Sequence, residues 1–472
     1  MENLGKSDCN VIGNKTALTT VKSSTPILAE LKSRIDELRI DPAATSLCVA
    51  FSGGVDSTVL LHALAQARSE ALVMPLRAIH VNHQMHAQAE QWAEHCRAVC
   101  AGLQISLDVH AVAVELNSGI GPEAAARQAR YDLLREQVRP GEVLVTAHHR
   151  QDQLETLLLQ LLRGAGVAGL AAMPVRAAFG SGWLLRPLLD ISGAEIGAYA
   201  DELDLDWLDD PSNRDTNLDR NYLRHEVLPR LEARWPAAAA TVARSARHCA
   251  EASAILEAVA RQDAAAALVG NRLRVLALQE LPRPRQNNLI RYTLRRLGYP
   301  YPTGRQIETL IGGLLKARGD SQPQVCWPGV QVRRYRDRIY FLPDHDFDNA
   351  DVRSAYAWDP ATELDLGPVR GCLQVEETTE PGLAQQFLEK SLTVKFRGGG
   401  ERIRPAGERH SRTLKNLFQE AGVVPWMRGH VPLVYAGERL VAVGDLWVDA
   451  QASTRHGEQA YRLDWRGHQD LR

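Results

Sequence analysis

A short segment rich in glycine and hydroxyl groups, Ser52–Ser57, carries residue types that bind phosphate. Gly53 and Gly54 let the backbone curve closely around an anion, and flanking serines supply hydroxyl donors. Asp56 would repel a phosphate by itself, so its carboxylate fits best as a ligand of Mg²⁺ that bridges phosphate oxygens. The segment lacks the Gly-Lys-Ser/Thr ending of a Walker A loop. The pattern therefore predicts a phosphate loop of another kind.

A second polar group follows the fourth predicted strand of the chain. His148 and His149 come at the end of that strand, and open α/β sheets bind ligands beyond the carboxyl ends of their strands. We therefore expect both histidines to lie near Ser52–Ser57, with His148 better placed to contact phosphate. Asp152 and Glu155 are three residues apart at the start of the next helix, hence on one face. Their carboxylates fit a cationic substrate or a helix capping box, and the residue types alone do not decide between these.

The elements that must position these residues alternate between strands and helices. Strands are predicted at 46–51, 76–82, 106–114 and 143–148, and helices at 58–66, 88–101, 122–137 and 152–163. This alternation is typical of a parallel, doubly wound α/β sheet. The phosphate loop then joins the first strand to a helix, whose amino-terminal N–H groups and dipole attract anions.

The sequence changes character after about residue 229. We predict a long alanine-rich helix at 236–268, a helix pair at 284–297 and 303–316, and strands at 325–332 and 338–342. An acidic, aperiodic stretch follows. The predicted organisation is a flexible tail at 1–25, an α/β catalytic domain at 26–230, a mostly helical α+β middle domain at 231–343, a linker at 344–360 and a small α+β domain at 361–472.

Composition restricts the compartment and the partners. The net charge is −2, so the overall charge does not indicate a nucleic-acid binder, although a local basic surface would. The seven cysteines are odd in number and scattered, which is typical of reduced thiols in a cytoplasmic protein. Cys96 and Cys100 are predicted to pack on one helix face. Because no signal peptide and no run of about 20 apolar residues is found, we expect no membrane contact.

Ser52–Ser57 resembles the SGGxDS signature of the PP-loop ATP pyrophosphatases, which adenylate a carbonyl oxygen and release pyrophosphate. Three later segments make the resemblance specific to the long form of the tRNA(Ile)-lysidine synthetases. The family patterns AHHxDDxxET, RGxGxxGLxxM and DPSNxDxxxxRNxxR occur here in that order, at 147–156, 163–173 and 210–224. Gln151 departs from the first pattern, because the family usually has an acid there. Segments at 397–401, 411–422 and 440–447 resemble the family's C-terminal domain.

The resemblance implies a PP-loop fold, a reaction and a set of site residues. The wobble cytidine of a CAU-anticodon isoleucine tRNA is adenylated by ATP at its carbon 2 carbonyl, and free L-lysine then displaces AMP, so the codon read changes from AUG to AUA. The implied ATP site is Ser52, Gly53, Gly54, Val55, Asp56 and Ser57, with Mg²⁺ on Asp56. Lysine is assigned to Asp152 and Glu155, and catalysis to Asp56, Arg127, Arg130 and His148. The choice between Arg127 and Arg130 stays open, as does their alternative as surface ion pairs.

The resemblance also assigns basic residues to tRNA contact. These are Arg220, Arg224, Arg397, Arg404, Arg412 and Lys415. From residue 395 to the end, 13 lysines and arginines stand against nine acids, an excess of four positive charges. Arginines near glycine turns can contact phosphates without reading base sequence. The charge alone would equally fit a solvated surface.

Two alternative functions remain. A tRNA thiolase would use the same phosphate loop, but such relatives usually carry paired catalytic cysteines or C-x-x-C motifs, and this sequence has no C-x-x-C. A non-catalytic RNA-binding module would retain the fold without the chemistry, which the intact Ser52–Ser57 segment disfavours. The sequence leaves the oligomeric state open, with a homodimer among the options.

Overall fold

The computed structural model describes residues 26–39, 45–70, 74–83, 88–113, 122–317, 322–345, 347, 354–454 and 458–471. The chain forms two compact units, residues 1–255 and 256–472. The predicted tail at 1–25 lies outside the described residues, as do positions 346 and 348–353 of the predicted linker. Within the described ranges, no helix combines the length and apolar character needed to cross a lipid bilayer.

A six-stranded sheet forms the centre of the first unit, in the order β3-β2-β1-β4-β6-β5. Its strands are β1 (Ser46–Ala50), β2 (Leu76–Asn82), β3 (Ser106–Ala111), β4 (Glu142–Val145), β5 (Arg176–Phe179) and β6 (Gly182–Leu185). All neighbours pair in parallel except the β5–β6 hairpin at one edge. The predicted doubly wound sheet is confirmed, with an antiparallel edge that the sequence analysis did not predict.

The α-helices up to residue 267 include those that cover both faces of this sheet. They are α1 (Pro26–Arg39), α2 (Val55–Glu70), α3 (Ala89–Gly102), α4 (Pro122–Gln137), α5 (Arg150–Leu162), α6 (Val167–Leu170), α7 (Gly193–Glu202), α8 (Asp219–Tyr222), α9 (Leu228–Arg234) and α10 (Ala238–Ala267). Successive strand residues point to opposite faces. Leu47 and Val49 therefore pack in the core that contains α1, α2, α3 and α7, whereas Cys48 packs with Leu134 of α4. Burial of both faces explains why β1 is apolar from Leu47 to Ala50.

The element boundaries agree with the predictions to within a few residues. Strand β2 and helix α4 have the predicted bounds, and Cys96 and Cys100 are buried on α3 as expected. Strand β4 ends three residues early, because His149 is the N-cap of α5. The sequence analysis missed α1, α7 and the β5–β6 hairpin, whose strands are only four residues long.

The strand order reverses next to β1. Strands β2 and β3 lie on one side of β1 and β4 lies on the other, so the chain crosses the sheet in opposite directions after β1 and after β3. Ligands of open α/β sheets bind at such switch points, beyond the carboxyl ends of the strands. The segment Ser52–Ser57 leaves β1, and Thr146–His149 leaves β4. The fold thus places the two predicted polar groups at one edge.

The second unit is built mainly from antiparallel sheets. The first has the order β7-β8-β11-β10-β9, with strands β7 (Leu268–Val269), β8 (Arg272–Arg274), β9 (Gln324–Trp327), β10 (Val330–Tyr335) and β11 (Arg338–Leu342). Its helices are α11 (Val275–Gln279), α12 (Arg283–Arg296) and α13 (Gly304–Leu310). The single strand predicted at 325–332 is wrong. A turn splits it at Gly329, whose φ of +88° favours glycine.

Residues 354–471 form the remaining sheets. The strands are β12 (Tyr356–Trp358), β13 (Leu364–Asp365), β14 (Cys372–Thr378), β15 (Leu383–Ala384), β16 (Leu392–Lys395), β17 (Arg402–Ile403), β18 (Arg412–Thr413), β19 (Leu433–Ala436), β20 (Arg439–Val443), β21 (Trp447–Val448) and β22 (Ala460–Arg466). Two short helices, α14 (Gln385–Leu388) and α15 (Leu414–Glu420), complete this part. Sheets β12-β16-β19-β20-β21 and β13-β14-β22-β15 share one apolar core, as the α+β prediction requires.

Candidate active site

The Ser52–Ser57 loop has a conformation suited to bind an anion. Gly53 has a φ of +86°, and its carbonyl accepts a hydrogen bond from the backbone N–H of Leu208 at 2.9 Å. The Oγ atoms of Ser52 and Ser57 are 3.0 Å apart, and the Ser57 hydroxyl donates to the carbonyl of Gly54 at 3.0 Å. Helix α2 begins at Val55, and the first N–H groups of a helix lack partners within it. They are therefore available to a phosphate.

Asp56 lies in the first turn of α2 and faces the residues after β4. Its Oδ2 is 3.8 Å from Nε2 of His149, which is itself 3.6 Å from Oδ2 of Asp152. Burial raises the pKa of Asp56, and His149 opposes this effect. The Asp56 side chain keeps 42% of its surface exposed. Its carboxylate can therefore reach a ligand beside the phosphate loop.

The residue types at this edge fit Mg²⁺. In the described part of the chain, no three His, Cys, Asp or Glu side chains converge as a metal cage. Mg²⁺ usually takes only one or two protein carboxylates and completes its shell with water and substrate phosphates. An exposed carboxylate at Asp56, next to the Ser52 and Ser57 hydroxyls, matches that pattern.

The start of α5 is a capping box, but its members are His149 as N-cap and Asp152, so the Asp152–Glu155 box that the sequence allowed is not the one that forms. The backbone N–H of His149 donates to Oδ2 of Asp152 at 2.9 Å, and that of Gln151 donates to Nδ1 of His149 at 3.3 Å. Gln151, the departure from the family pattern, accepts a hydrogen bond from the backbone N–H of Gly193 at 2.9 Å. Its amide thus anchors α5 to the start of α7.

Glu155 and Asp152 form an ion-pair network with two arginines from a distant segment. Glu155 is fully buried, with Oε2 at 2.8 Å from Nε of Arg220 and Oε1 at 2.7 Å from Nε of Arg224. Arg224 also lies 3.2 Å from Oδ1 of Asp152. Burial would lower the pKa of Arg224, but Glu155 and Asp152 raise it above its usual range. Arg220 and Arg224, assigned to tRNA from the sequence, are therefore placed against the two predicted lysine ligands.

The opposite side of the site is cationic. Arg127 and Arg130 lie over the ring of Tyr131, with guanidinium carbons 4.9 and 5.7 Å from its centroid. Among the residues the structure describes, neither forms an ion pair with a carboxylate. Burial lowers the pKa of Arg130, and the charges of Arg127 and Arg220 add to this. Within the described ranges, no acidic partner therefore supports the alternative that these arginines form surface ion pairs.

His148 lies between the acidic and the cationic side. Its Nδ1 is 2.9 Å from the hydroxyl of Thr146. Burial lowers its pKa to about 3; Asp152 opposes this, whereas Arg186 and Arg127 add to it. The imidazole is therefore neutral near pH 7 and can offer a hydrogen bond, but no positive charge, to a bound group.

Sequence reasoning missed three residues of this site. Thr146 supports His148, Leu208 bonds the loop, and Arg186 lies next to the cationic side. Thr146 and Arg186 directly follow strands β4 and β6, and a polar residue just beyond a buried strand was the signal used for Ser52 and His148. Leu208 carries no such signal, because its contact depends on a loop that returns from far along the chain.

The predicted tRNA residues of the second unit lie near its small β17–β18 sheet. Lys415 is exposed and Arg404 is half-buried. Arg412 pairs with Glu408 at 3.4 Å and also with Glu420, and Nε of Arg397 is 3.9 Å from Oε2 of Glu401. Lys415 and Arg404 are therefore less engaged by neighbouring acids than Arg412.

The positive φ of Gly53 gives a test of the loop. We expect Gly53→Ala to lower the free energy of unfolding of the first unit by about 1–3 kcal/mol, because a side chain is strained at this φ. A Cβ there would also lie 2.7 Å from Cδ1 of Leu208. Gly54→Ala is the matched control, since its Cβ would meet nothing closer than 3.7 Å. Urea unfolding of the ligand-free protein measures both, and equal midpoints would contradict the assigned strain.

Comparison with known proteins identifies the family. Residues 27–231 match a PP-loop domain, residues 273–340 a TilS substrate binding domain, and residues 392–465 a TilS substrate C-terminal domain. The chain is 43% identical over 401 residues to a tRNA(Ile)-lysidine synthase of Methylococcus capsulatus, covering 84% of this chain and 90% of that protein. It is 42% identical over 427 residues to that of Alkalilimnicola ehrlichii, covering 89% and 93%. The chain therefore belongs to the tRNA(Ile)-lysidine synthase family.

Proposed function

We propose that this protein ligates free L-lysine to carbon 2 of the wobble cytidine of an isoleucine tRNA with a CAU anticodon, using ATP. One observation carries the proposal beyond family membership. The phosphate loop and the acid–arginine network meet through His149, which is 3.8 Å from Asp56 and 3.6 Å from Asp152. An activating nucleotide and a charged amine can thus bind side by side. The free thiols of the described cysteines fit a cytoplasmic setting, where ATP, lysine and tRNA are found.

The first step forms the adenylated tRNA. The carbon 2 oxygen of the cytidine attacks the α-phosphorus of ATP, and pyrophosphate leaves. Phosphoryl transfer needs in-line positioning and charge neutralisation more than covalent help from the protein. The Ser52–Ser57 backbone holds the phosphates, Arg127 or Arg130 supports their charge, and His148 donates a hydrogen bond as a neutral imidazole. Mg²⁺, held by Asp56, supplies further charge neutralisation when bound.

The second step transfers lysine. Its ε-amine attacks carbon 2, AMP leaves with the oxygen, and the amine loses a proton to a nearby base. Lysine carries two ammonium groups and one carboxylate, and the network offers both carboxylates and guanidinium groups. Asp152 attracts an ammonium group, while Arg224, with 39% of its side chain exposed, is suited to the carboxylate. Glu155 is fully buried and holds the guanidinium groups of Arg220 and Arg224 beside this site. A site with both carboxylate and guanidinium groups matches the opposite charges of free lysine better than two acids alone would.

The cysteines disfavour the thiolase alternative. Cys96 and Cys100 are buried on α3, and burial raises the pKa of each thiol to about 12. The reactive species in sulfur chemistry is the thiolate, which such thiols do not form near pH 7. Cys96 also contacts His80, with Sγ 3.5 Å from Nδ1, inside the core. Its role is packing beneath the phosphate loop.

We further propose that tRNA is selected outside the catalytic domain at 26–230, by residues 231–343 and 361–472. The methionine tRNA shares the CAU anticodon, so contacts elsewhere must distinguish the two. Exposed Lys415 and half-buried Arg404 are the best placed of the predicted residues to contact phosphates. Arg397 and Arg412 join them once their acidic neighbours are displaced.

Incorporation of radiolabelled lysine into bulk bacterial tRNA tests the function. We expect label that requires ATP and Mg²⁺, and we expect Asp56→Ala to lower the rate by roughly 100-fold or more, because metal charge stabilisation is worth several kcal/mol. Asp132→Ala, at an exposed acid on α4, is the control. If ATP is cleaved to AMP and pyrophosphate in the presence of tRNA but no lysine is incorporated, the result favours the thiolase alternative.

The lysine site is tested by Asp152→Asn. This change removes one charge while keeping an acceptor for the backbone N–H of His149. We expect the KM for lysine to rise roughly 10- to 100-fold, the value of a lost charged hydrogen bond, while tRNA adenylation persists. Lysine titrations and pyrophosphate release measure the two steps separately. An unchanged KM with adenylation abolished would place Asp152 at the nucleotide instead.

The tRNA surface is tested by Arg404→Ala combined with Lys415→Ala. We expect weaker tRNA binding, with ATP binding unchanged. The slope of log affinity against log salt concentration should become shallower by about one for each lost phosphate contact. Lys390→Ala is the matched control, because Lys390 is an exposed lysine of the same unit, outside the β17–β18 sheet, with Nζ 4.9 Å from the ring centroid of Phe387. Filter binding across a salt series gives both quantities. A salt slope equal to that of the control would show that Arg404 and Lys415 do not contact tRNA phosphates.

A further inference from the structure

Arg186 is a buried arginine at the edge of the site that none of the reaction steps above uses. It directly follows β6 and is only 8% exposed. One terminal nitrogen donates to the carbonyl of Pro174 at 2.9 Å, and the side chain also hydrogen bonds to Tyr131. Its Nε is buried and, within the described residues, has no hydrogen-bond partner. A buried donor without a partner is rare in folded proteins and costs free energy.

The neighbours of Arg186 leave its charge uncompensated. Among the described residues, no carboxylate lies within ion-pair distance of it. Arg127 is close enough to lower the pKa of Arg186, adding to the effect of burial, and both arginines act on His148. Arg130 shares this environment through Tyr131 and Arg127. A buried cation is normally paired or bound to a counter-ion, so buried Arg186 beside the half-buried Arg127 and Arg130 indicates a place for an anion.

The position of Arg186 in the sheet brings it to the reaction edge. Strand β6 pairs in parallel with β4, and the N–H of Thr146 donates to the carbonyl of Leu185 at 3.0 Å. Arg186 and His148 therefore leave adjacent strands at the same carboxyl end. The charges of Asp152 and Arg220 also act on His148, so the cationic pocket adjoins the lysine network.

We propose that Arg186, with Arg127, Arg130 and His148, forms a phosphate-binding pocket, and that Arg186 directly contacts the phosphate. The inference deepens the proposed function and rests on it for the identity of the phosphate. Two sources have this chemistry, the phosphates of ATP and the backbone of the anticodon loop. A guanidinium group suits either, since its planar array of donors matches phosphate oxygens.

Substitutions at Arg186 in the full-length chain test the pocket. Arg186→Gln removes the charge but keeps an amide donor for the Pro174 carbonyl, so a merely structural bond is retained. Arg186→Lys keeps the charge without the planar donors. Arg97→Met is the matched control, because it removes an arginine of the same unit that sits in surface ion pairs with Glu90 and Glu94. The probes are inorganic pyrophosphate and a short anticodon stem–loop RNA, with affinities measured by titration calorimetry.

We expect Arg186→Gln to raise the Kd of a phosphate probe roughly 10- to 100-fold and Arg186→Lys to raise it severalfold, while Arg97→Met leaves it unchanged. Loss of pyrophosphate binding assigns the pocket to the nucleotide, and loss of RNA binding alone assigns it to the tRNA backbone. Unchanged affinity for both probes in Arg186→Gln overturns the proposal. If that variant does not fold, unchanged affinities in Arg186→Lys overturn it instead.

Lysine incorporation by the wild-type protein, measured in parallel, separates this inference from the proposed function. An inactive wild type whose pyrophosphate affinity still depends on Arg186 contradicts the function and leaves the pocket standing. If the wild type incorporates lysine but Arg186→Gln leaves the Kd of both probes unchanged, only the pocket is contradicted. A structural role alone would lower the melting temperature of Arg186→Gln in the absence of ligand without changing either Kd.

Discussion

The carboxylate of Glu155 is the constraint around which this site is organised. It is fully buried on α5, and an isolated charge there would cost several kcal/mol. Arg220 and Arg224 satisfy it at 2.8 and 2.7 Å. Because both arginines come from a segment more than 60 positions further along the chain, that segment must fold back onto α5. The same return brings Leu208 to the carbonyl of Gly53, so the shape of the phosphate loop and the charge of Glu155 are secured together.

Charge separation gives the site two chemically different halves. Asp56, Asp152 and Glu155 gather near His149, where Arg220 and Arg224 pair with Glu155. Arg127 acts on His148, and Arg130 lies in the field of Arg127. One half attracts an amine and the other attracts phosphates, which is the division that adenylation followed by aminolysis requires. The adjacent histidines at the end of β4 connect the halves, and burial keeps His148 neutral so that it adds no further positive charge.

Much of the fold and part of the site could be predicted from the sequence. The strand–turn–helix setting of Ser52–Ser57, the buried α3 cysteines and the strand–helix alternation depend on local composition and periodicity, and these predictions were correct. The predicted strand boundaries were wrong where a single residue ends or interrupts an apolar run. His149 ends β4 early by capping α5, and Gly329 divides a continuous apolar run into two strands. The site assignments that remain proposals are those that name a ligand. A sequence indicates a ligand only through the chemistry of the side chains that would bind it.

The sequence by itself determined which chemical groups exist and which local conformations carry them: a glycine turn before a helix, two histidines after a strand, and two acids one helical turn apart. Tertiary structure decided how those groups are used. It paired Arg220 and Arg224 with Glu155 and brought Arg186 and His148 to the ends of adjacent strands, although neither arrangement follows from spacing along the chain. The reason is physical: periodicity encodes neighbours on one helix or strand, whereas the partner of a buried charge is chosen by the burial that only the folded chain creates.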